Sequence, residues 1–253
     1  MTVTALIDAD IVAFQQAIKC QDTIEGFTEE PIVRLTRDEA WLHSEIDSFI
    51  EYLLEKTEAT KAIICLSGKD NFRYDVLPSY KHNRKDTDPP LLLSAAHKYL
   101  ESNYKTRRKD RLEADDVMGI LSTDGREFQG KRIICTTDKD LYQIPGYIFN
   151  WNKADRGVEE ITHEVADMFH MVQTLVGDTA DGYQGVLGIG EGTAYKLLLE
   201  GLQDHKTMWE TVVEVYEDNG CAEEDALCMA RVARMCRYQD YDFINQKEIL
   251  WNP

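Results

Sequence analysis

Three apolar runs closed by polar or acidic residues punctuate the first part of the chain: VTALID at 3–8, AIICLSG at 62–68 and RIICTTD at 132–138. Unbroken apolar stretches of this length are the mark of strands buried on both faces of a sheet. Between the first two, Leu42, Ile46, Phe49, Ile50, Leu53 and Leu54 recur at helical spacing behind a capping-box signature, Thr36 with Glu39. Strand, helix, strand predicts an α/β fold with a mostly parallel central sheet flanked by helices. Ligands of such sheets sit beyond the carboxyl ends of the strands. From about residue 160 the period turns helical, predicting helices at 163–176, 191–200, 206–217 and 223–237. The expectation is an α/β core over 1–160 with a helical part, 161–253, packed on it.

Composition narrows the class. Of 253 residues 43% are apolar, enough to build a core, so disorder is excluded as the main state. No run approaches the roughly 20 apolar residues that cross a bilayer, and the start MTVTALIDADIVAF has neither a basic n-region nor a small-residue cleavage site. The expectation is a cytoplasmic protein with no membrane partner. Cys20, Cys65, Cys135, Cys221, Cys228 and Cys236 form no CxxC pair and read as buried reduced thiols, with a zinc site or disulfide framework as the alternative.

Charge cuts both ways. Twenty-eight Lys and Arg against 46 Asp and Glu give a net charge of −18, which argues against phosphate binding over most of the surface. Residues 69–111, however, hold eleven Lys or Arg and six Asp or Glu. A solvated face is the plain reading of such a run.

Carboxylates fall in five groups: Asp8 with Asp10; Asp70; Glu113, Asp115 and Asp116; Asp138 with Asp140; and Asp178 with Asp181. Any one group is explained by helix starts or turns. Several follow apolar strands, so they converge on one sheet edge, where unpaired like charges repel and call for a cation. Ligands that are all oxygen select hard ions such as Mg²⁺ or Mn²⁺. Two such ions suit in-line displacement at phosphorus. The six histidines show no ligand spacing and read as structural.

The last acidic pair opens the string Gly177-Asp178-Thr-Ala-Asp181-Gly-Tyr-Gln-Gly185-Val-Leu-Gly188-Ile-Gly190, followed by the helical run TAYKLLLEG. Glycines ahead of a helix let backbone N–H groups approach a phosphate, and Lys196 lies one to two turns inside. Tight turns use the same glycines; the adjoining acids favour a nucleic-acid backbone.

These strings resemble the 5′-nuclease family of flap endonucleases, 5′-nuclease domains of bacterial DNA polymerases and phage 5′→3′ exonucleases. The likeness spans LIDAD at 6–10, FR at 72–73, PSYKHNR at 78–84, LEADD at 112–116, TTDKD at 136–140 and GDTADGYQGVLGIG at 177–190. LEADDVMG, DGYQG and the ending ARVARMCRYQDYDFINQKEILWNP are most similar to the short-tailed-phage branch.

The resemblance implies a PIN-like core and two divalent ions, Mg²⁺ or Mn²⁺. Asp8, Asp70, Glu113, Asp115 and Asp116 would hold or bridge the first; Asp138, Asp140, Asp178 and Asp181 would support the second. It implies a helical arch over about 78–112. There Lys81, with Arg84, would act on the scissile phosphate, Tyr80 would stack on a base, and Arg73 and Lys85 would contact DNA. Lys105, Arg107, Arg108, Lys109 and Arg111 would lie on or near the arch strand. The glycine string resembles a helix-hairpin-helix element, in which Gly185, Gly188, Gly190 and Lys196 would grip duplex backbone, in some members with a bound K⁺. The implied activity is a 5′→3′ exonuclease that acts on duplex DNA at 5′ ends, nicks or gaps, with RNA/DNA hybrids as a further substrate. It would leave 5′-phosphate mononucleotides or short oligonucleotides. Its setting would be the host cytoplasm during phage replication and host DNA breakdown, with replication proteins as partners.

Ala9 stands where relatives often carry Gly, and the span from Lys85 to Leu112 is short for an arch. That shortness favours ends, nicks and gaps over threaded flaps, with flap endonuclease as the alternative. Asp8 and Asp10 with TTDKD also fit a haloacid-dehalogenase-type phosphatase, which leaves LEADD and GDTAD unused. An acidic DNA mimic would bind no divalent ion.

Overall fold

The computed structural model describes residues 2–24, 32–84, 88–126 and 129–253. Strand β1 (Val3–Asp8) lies between β4 (Lys61–Leu66) and β6 (Lys131–Thr136), parallel to both. The sheet continues outward to β5 (Thr106–Arg108) on one side and to β7 (Gly146–Asn150) and antiparallel β8 (Val158–Ile161) on the other, in the order β5-β4-β1-β6-β7-β8. The expected strands therefore form, side by side, and their carboxyl ends share one edge.

Alternate side chains of a strand face opposite ways, and both faces are covered. Ala5, Ile7, Ile64 and Leu66 pack against Val12 of α1 (Ala9–Ile18), Leu42, Ile46, Ile50 and Leu53 of α2 (Glu39–Thr57), and Ala96 and Leu100 of α4 (Leu93–Asn103). Leu6, Ile63, Cys65 and Ile134 meet Val117, Met118 and Leu121 of α5 (Ala114–Thr123), together with Met235, Cys236 and Tyr241 from the carboxyl-terminal segment. A separate apolar cluster joins α6 (His163–Val176), α7 (Glu191–Gln203), α8 (Met208–Asp218) and α9 (Glu223–Ala233). Two short ladders complete this part, β9 (Gly177–Asp178) with β10 (Tyr183–Gln184) and β11 (Tyr241–Asp242) with β12 (Lys247–Glu248). The helical half thus has its own core, while residues after α9 return to that of the sheet.

Several expectations need correction. Helix α2 is capped by Asp38, which accepts from the Trp41 N–H at 2.9 Å; Thr36 instead donates its backbone N–H to the Cys20 carbonyl. Helix α9 stops at Ala233 rather than 237, because the Arg234 carbonyl and the Met235 and Cys236 N–H groups bond to Arg73, Gln143 and Asp116 of other elements. Most of the expected arch is body: α4 buries Ala96 and Leu100 on α1 and α2, and Arg107 and Arg108 lie in edge strand β5. Even within 78–84, Tyr80 is buried against Tyr183, Val232 and Ala233. Of the thiols, all free, Cys221 is exposed and Cys228 half-buried. The hairpin β2 (Gln21–Ile24) with β3 (Ile32–Leu35) gave no period to read, since both its faces are largely open to solvent.

Candidate active site

Asp8 ends β1 and caps α1, accepting from the Ile11 N–H at 3.2 Å, while the Thr136 hydroxyl at the end of β6 donates to its other oxygen at 2.7 Å. Adjacent parallel strands that end together make that bond inevitable. The chain turns after β6 through Asp138, which caps the 3₁₀ turn Lys139–Gln143 by accepting from the Asp140 N–H at 2.9 Å. Helix α5 starts beside the end of β4, where the Ser67 hydroxyl receives the Ala114 N–H at 3.1 Å, and this brings Glu113 and Asp115 to the same edge.

The carboxylates share one field. Burial pushes Asp8 up to about 7, helped by the negative charge of Asp10 and Asp138. Burial likewise raises Asp115, with Asp8, Asp138 and Glu113 adding repulsion. It raises Asp138 and takes Asp140 to about 7, the latter with Asp138, Asp181 and Asp178 as charged neighbours. Such a set resists ionisation until a cation arrives. Oxygen donors alone, held against their own charge, fit a hard divalent ion. Among the described residues no three of these side chains stand at distances that would cage one ion. The edge is therefore a field of negative charge rather than a closed cage.

Two segments far apart in sequence close over this field. The Tyr80 hydroxyl lies 2.9 Å from both Glu113 Oε2 and Asp181 Oδ2. Lys81 pairs with Glu113 and stands 3.7 Å from Asp181 Oδ2. Its backbone takes the left-handed conformation (φ 53°), held by its N–H on the Asp181 carbonyl at 2.7 Å. A lysine accepts that conformation only where surrounding bonds require it. Asn83 Nδ2 donates to the Thr179 carbonyl at 2.9 Å, so residues 80–83 and 179–181 are locked together. The Lys139 ammonium donates to Asp178 at 2.9 Å, and this pairing keeps Asp178 ionised.

Other expected site residues lie elsewhere. Asp70 is 60% exposed and faces Arg111 at 3.7 Å, outside the acidic field. Arg73 is 0% exposed and so is withdrawn from DNA. It forks onto Asp116 at 2.7 and 2.9 Å, and Asp116 also accepts the Cys236 N–H at 3.0 Å. These partners hold Asp116 charged and take up both its oxygens, removing it from the ion ligands. The Tyr80 ring, 1% exposed, cannot stack on a base; its part is to hold Glu113 and Asp181. Lys85 lies outside the described residues, as does the side chain of Arg84, whose backbone ends the 3₁₀ turn His82–Arg84. Lys105 and Arg107 sit beside the sheet edge. Arg108 pairs with Glu101 at 2.6 Å, Lys109 lies 4.3 Å from the Tyr241 ring centre, and Arg111 pairs with Asp75 and Glu248. Among the described residues of the basic segment, Arg73, Lys81, Arg108 and Arg111 are paired with carboxylates.

In the glycine string, a Cβ on Gly185 would stand 2.2 Å from the Leu175 carbonyl, so this glycine serves packing on α6. Gly188, at φ +82° in open space, and Gly190, which precedes α7, leave their backbone accessible. Leu187, just ahead of Gly188, is 82% exposed, and Lys196 is 73% exposed beside Glu200. Two residues without an expected role emerge. Asp10 accepts the Ser67 N–H at 2.9 Å and lies 3.3 Å from His97, at the rim of the field. Gln173 donates to Asp140 Oδ1 at 2.5 Å. No spacing in the sequence marks these partners, since each pair joins distant elements.

A parallel sheet whose strand ends gather buried acids beneath a lysine defines a nuclease of the α/β class. Residues 6–171 match the 5′-3′ exonuclease N-terminal resolvase-like domain, and the chain belongs to that family. It is 27% identical to the exonuclease of Escherichia phage T7 over 98% of this chain and 93% of that protein. It is 27% identical to the exodeoxyribonuclease of Enterobacteria phage T3 over 98% and 92%. The fold is shared with a bacteriophage T5 flap endonuclease seen in a pseudo-enzyme–product complex with DNA and metal ions, at a TM-score of 0.63 and 19% identity. That alignment covers 92% of this chain and 89% of the other. No helix of the described residues is long and apolar enough to cross a membrane.

Proposed function

We propose that this 5′→3′ exonuclease uses two divalent ions, Mg²⁺ or Mn²⁺, to hydrolyse phosphodiesters from the 5′ ends, nicks or gaps of duplex DNA, leaving 5′-phosphate products. The carrying observation is the field of Asp8, Asp115, Asp138 and Asp140, whose carboxyls are all pushed up at one sheet edge. Asp8, Glu113 and Asp115 would hold one ion; Asp138, Asp140, Asp178 and Asp181 would serve the other. Bound there, the ions supply Lewis acidity and a nucleophilic water at neutral pH.

The chain's own groups do the rest. The Lys81 ammonium is the cation at the mouth of the field, positioned to neutralise a phosphate oxygen as charge builds on it. Tyr80 and the locked loops 80–83 and 179–181 keep Glu113, Asp181 and Lys81 in register. We assign α6, the β9–β10 hairpin and α7 as a helix-hairpin-helix element that grips duplex backbone through Gly188, Gly190 and Lys196, with K⁺ as a bound ion. Residues 1–160 are then the catalytic unit and 161–253 the DNA-gripping unit. RNA/DNA hybrids as substrate, replication proteins as partners and a host-cytoplasmic setting complete the reading.

The test is a 5′-labelled linear duplex incubated with Mg²⁺ or with chelator, its products sized over time. Early release of labelled mononucleotide is expected, and none with chelator. Release of internal fragments first, or cleavage unchanged by chelator, would overturn the reading. Flap endonuclease activity is the second reading; a 5′-flap substrate cut at its junction faster than a blunt duplex loses nucleotides would establish it.

A further inference from the structure

The segment that follows α9 is irregular and almost wholly buried, with Arg234, Met235, Cys236 and Arg237 all under 9% exposed. Irregular buried backbone must find partners for each N–H and carbonyl. Here several of those partners are the groups behind the acidic field. Arg73 donates to the carbonyls of Val232 at 2.9 Å and Arg234 at 2.6 Å while holding Asp116, and the Cys236 N–H binds Asp116 directly.

On the other side the link is a pair of glutamines. Gln143 Nε2 donates to the Ala233 carbonyl at 2.7 Å, and Gln143 Oε1 accepts the Met235 N–H at 3.2 Å. A backbone carbonyl and a backbone N–H leave that amide one orientation. Its second hydrogen goes to Gln173 Oε1, so Gln173 in turn must present its nitrogen to Asp140. The chain of bonds has a direction: it runs from the carboxyl-terminal backbone to one carboxylate and ends in a donor. Gln143 is fully buried and Gln173 nearly so, and water does not compete.

We propose that Gln173 is a positioning residue for Asp140, its amide set by Gln143 and the backbone of Ala233 and Met235, so that the segment after α9 fixes a ligand of the second ion. This rests on the reading of Asp140 as an ion ligand. A donor aimed at one oxygen would leave the other available to the ion and would keep the carboxyl from rotating away. Second partners of this kind change metal affinity about 10- to 100-fold when lost. Because Gln173 lies in α6, the helix that leads into the β9–β10 hairpin, the same bond ties Asp140 to the helical half.

The test uses the full chain and Mn²⁺ binding read by calorimetry and by electron paramagnetic resonance. Gln173→Met keeps length and approximate volume but removes the donor. The parent is expected to bind two Mn²⁺; Gln173→Met should bind one as the parent does and the other about 10-fold or more weakly. Its kcat should fall with KM for duplex unchanged. Gln143→Met should weaken the same ion, and in the Gln173→Met background should add no further loss, because the two act in series. Should Gln173→Met not fold, Gln173→Asn, too short by one methylene to reach Asp140, is expected to show the same selective loss. Two Mn²⁺ bound at parental affinity by either folded Gln173 variant would overturn the proposal alone. A parent that binds no Mn²⁺ would overturn the metal reading and the proposal with it.

Discussion

At the scale of single residues, the site separates groups that face the reaction from groups that hold them. On the proposed reading Asp138 is of the first kind: Asp138→Ala should abolish hydrolysis to below about one part in a thousand while duplex affinity in Ca²⁺ persists, because ligands of catalytic ions act on the transition state. Parental degradation by purified Asp138→Ala would remove it from the site. Lys81 should behave as a transition-state cation, so Lys81→Ala lowers kcat about 100-fold or more with little change in KM; a change in KM alone would make it a binding residue. Arg73 is of the second kind. Its guanidinium and Asp116 are both fully buried and doubly bonded, so Arg73→Met leaves an unpaired buried charge. That should cost about 3–5 kcal/mol of unfolding free energy in urea titrations. Stability within about 1 kcal/mol of the parent would show that Arg73 is not the support the geometry describes.

At the scale of elements, the strands and helices of the core were legible because burial imposes a period. VTALID, AIICLSG and RIICTTD could only be central strands, and their ends located Asp8 and Asp138 correctly. Asp70 was misplaced, since a residue four positions beyond a strand can point anywhere, and here Arg111 draws it outward. The arch was overextended because α4 carries an amphipathic pattern whether it stands free or packs on α1 and α2. The holding role of Tyr80, named from the sequence as a base-stacking residue, and Gln173 altogether lay beyond reach for another reason: a hydrogen bond between residues 101 or 33 positions apart leaves no mark on local composition. The glycine string shows the same limit, since GxxGxG does not say which glycine serves packing. Gly185→Ala would drive a Cβ into the Leu175 carbonyl and should destabilise by about 1–3 kcal/mol. Gly192→Ala, within α7 and with open space around it, should stabilise by about 0.5 kcal/mol. Equal effects at the two positions would contradict the hairpin's packing on α6.

At the scale of the whole molecule, the acidic edge is strain that folding imposes and that, on the proposed reading, a divalent ion would relieve. Asp8 and Asp140 have folded values near 7 against an ordinary 3.8, chiefly through burial, and Asp115 and Asp138 are raised in the same sense. Between about pH 4 and 7 these four groups therefore hold more protons in the folded chain than in the unfolded chain. The contribution of these groups is fully present below pH 3.8 and is lost as pH rises through 7. Glu113 and Asp116 are lowered, through Lys81 and Arg73, so their contribution fades only below the usual carboxylate range and does not offset the loss. His170, held neutral by burial and by Arg234, works in the opposite sense below 6.5. It is common to both forms of the protein, so the ion-dependent increment isolates the carboxylates. On the proposed reading ions bind the ionised edge, and their stabilisation should grow as protons leave it. Saturating Mg²⁺ should raise Tm by about 5 °C or more at pH 8 and by much less at pH 5.5, measured by calorimetry against chelator-treated protein. Asp8→Asn should remove most of the difference, by taking one negative charge out of the field. An increment equal at both pH values would mean that the ions bind away from these carboxylates, and the edge would then need another explanation.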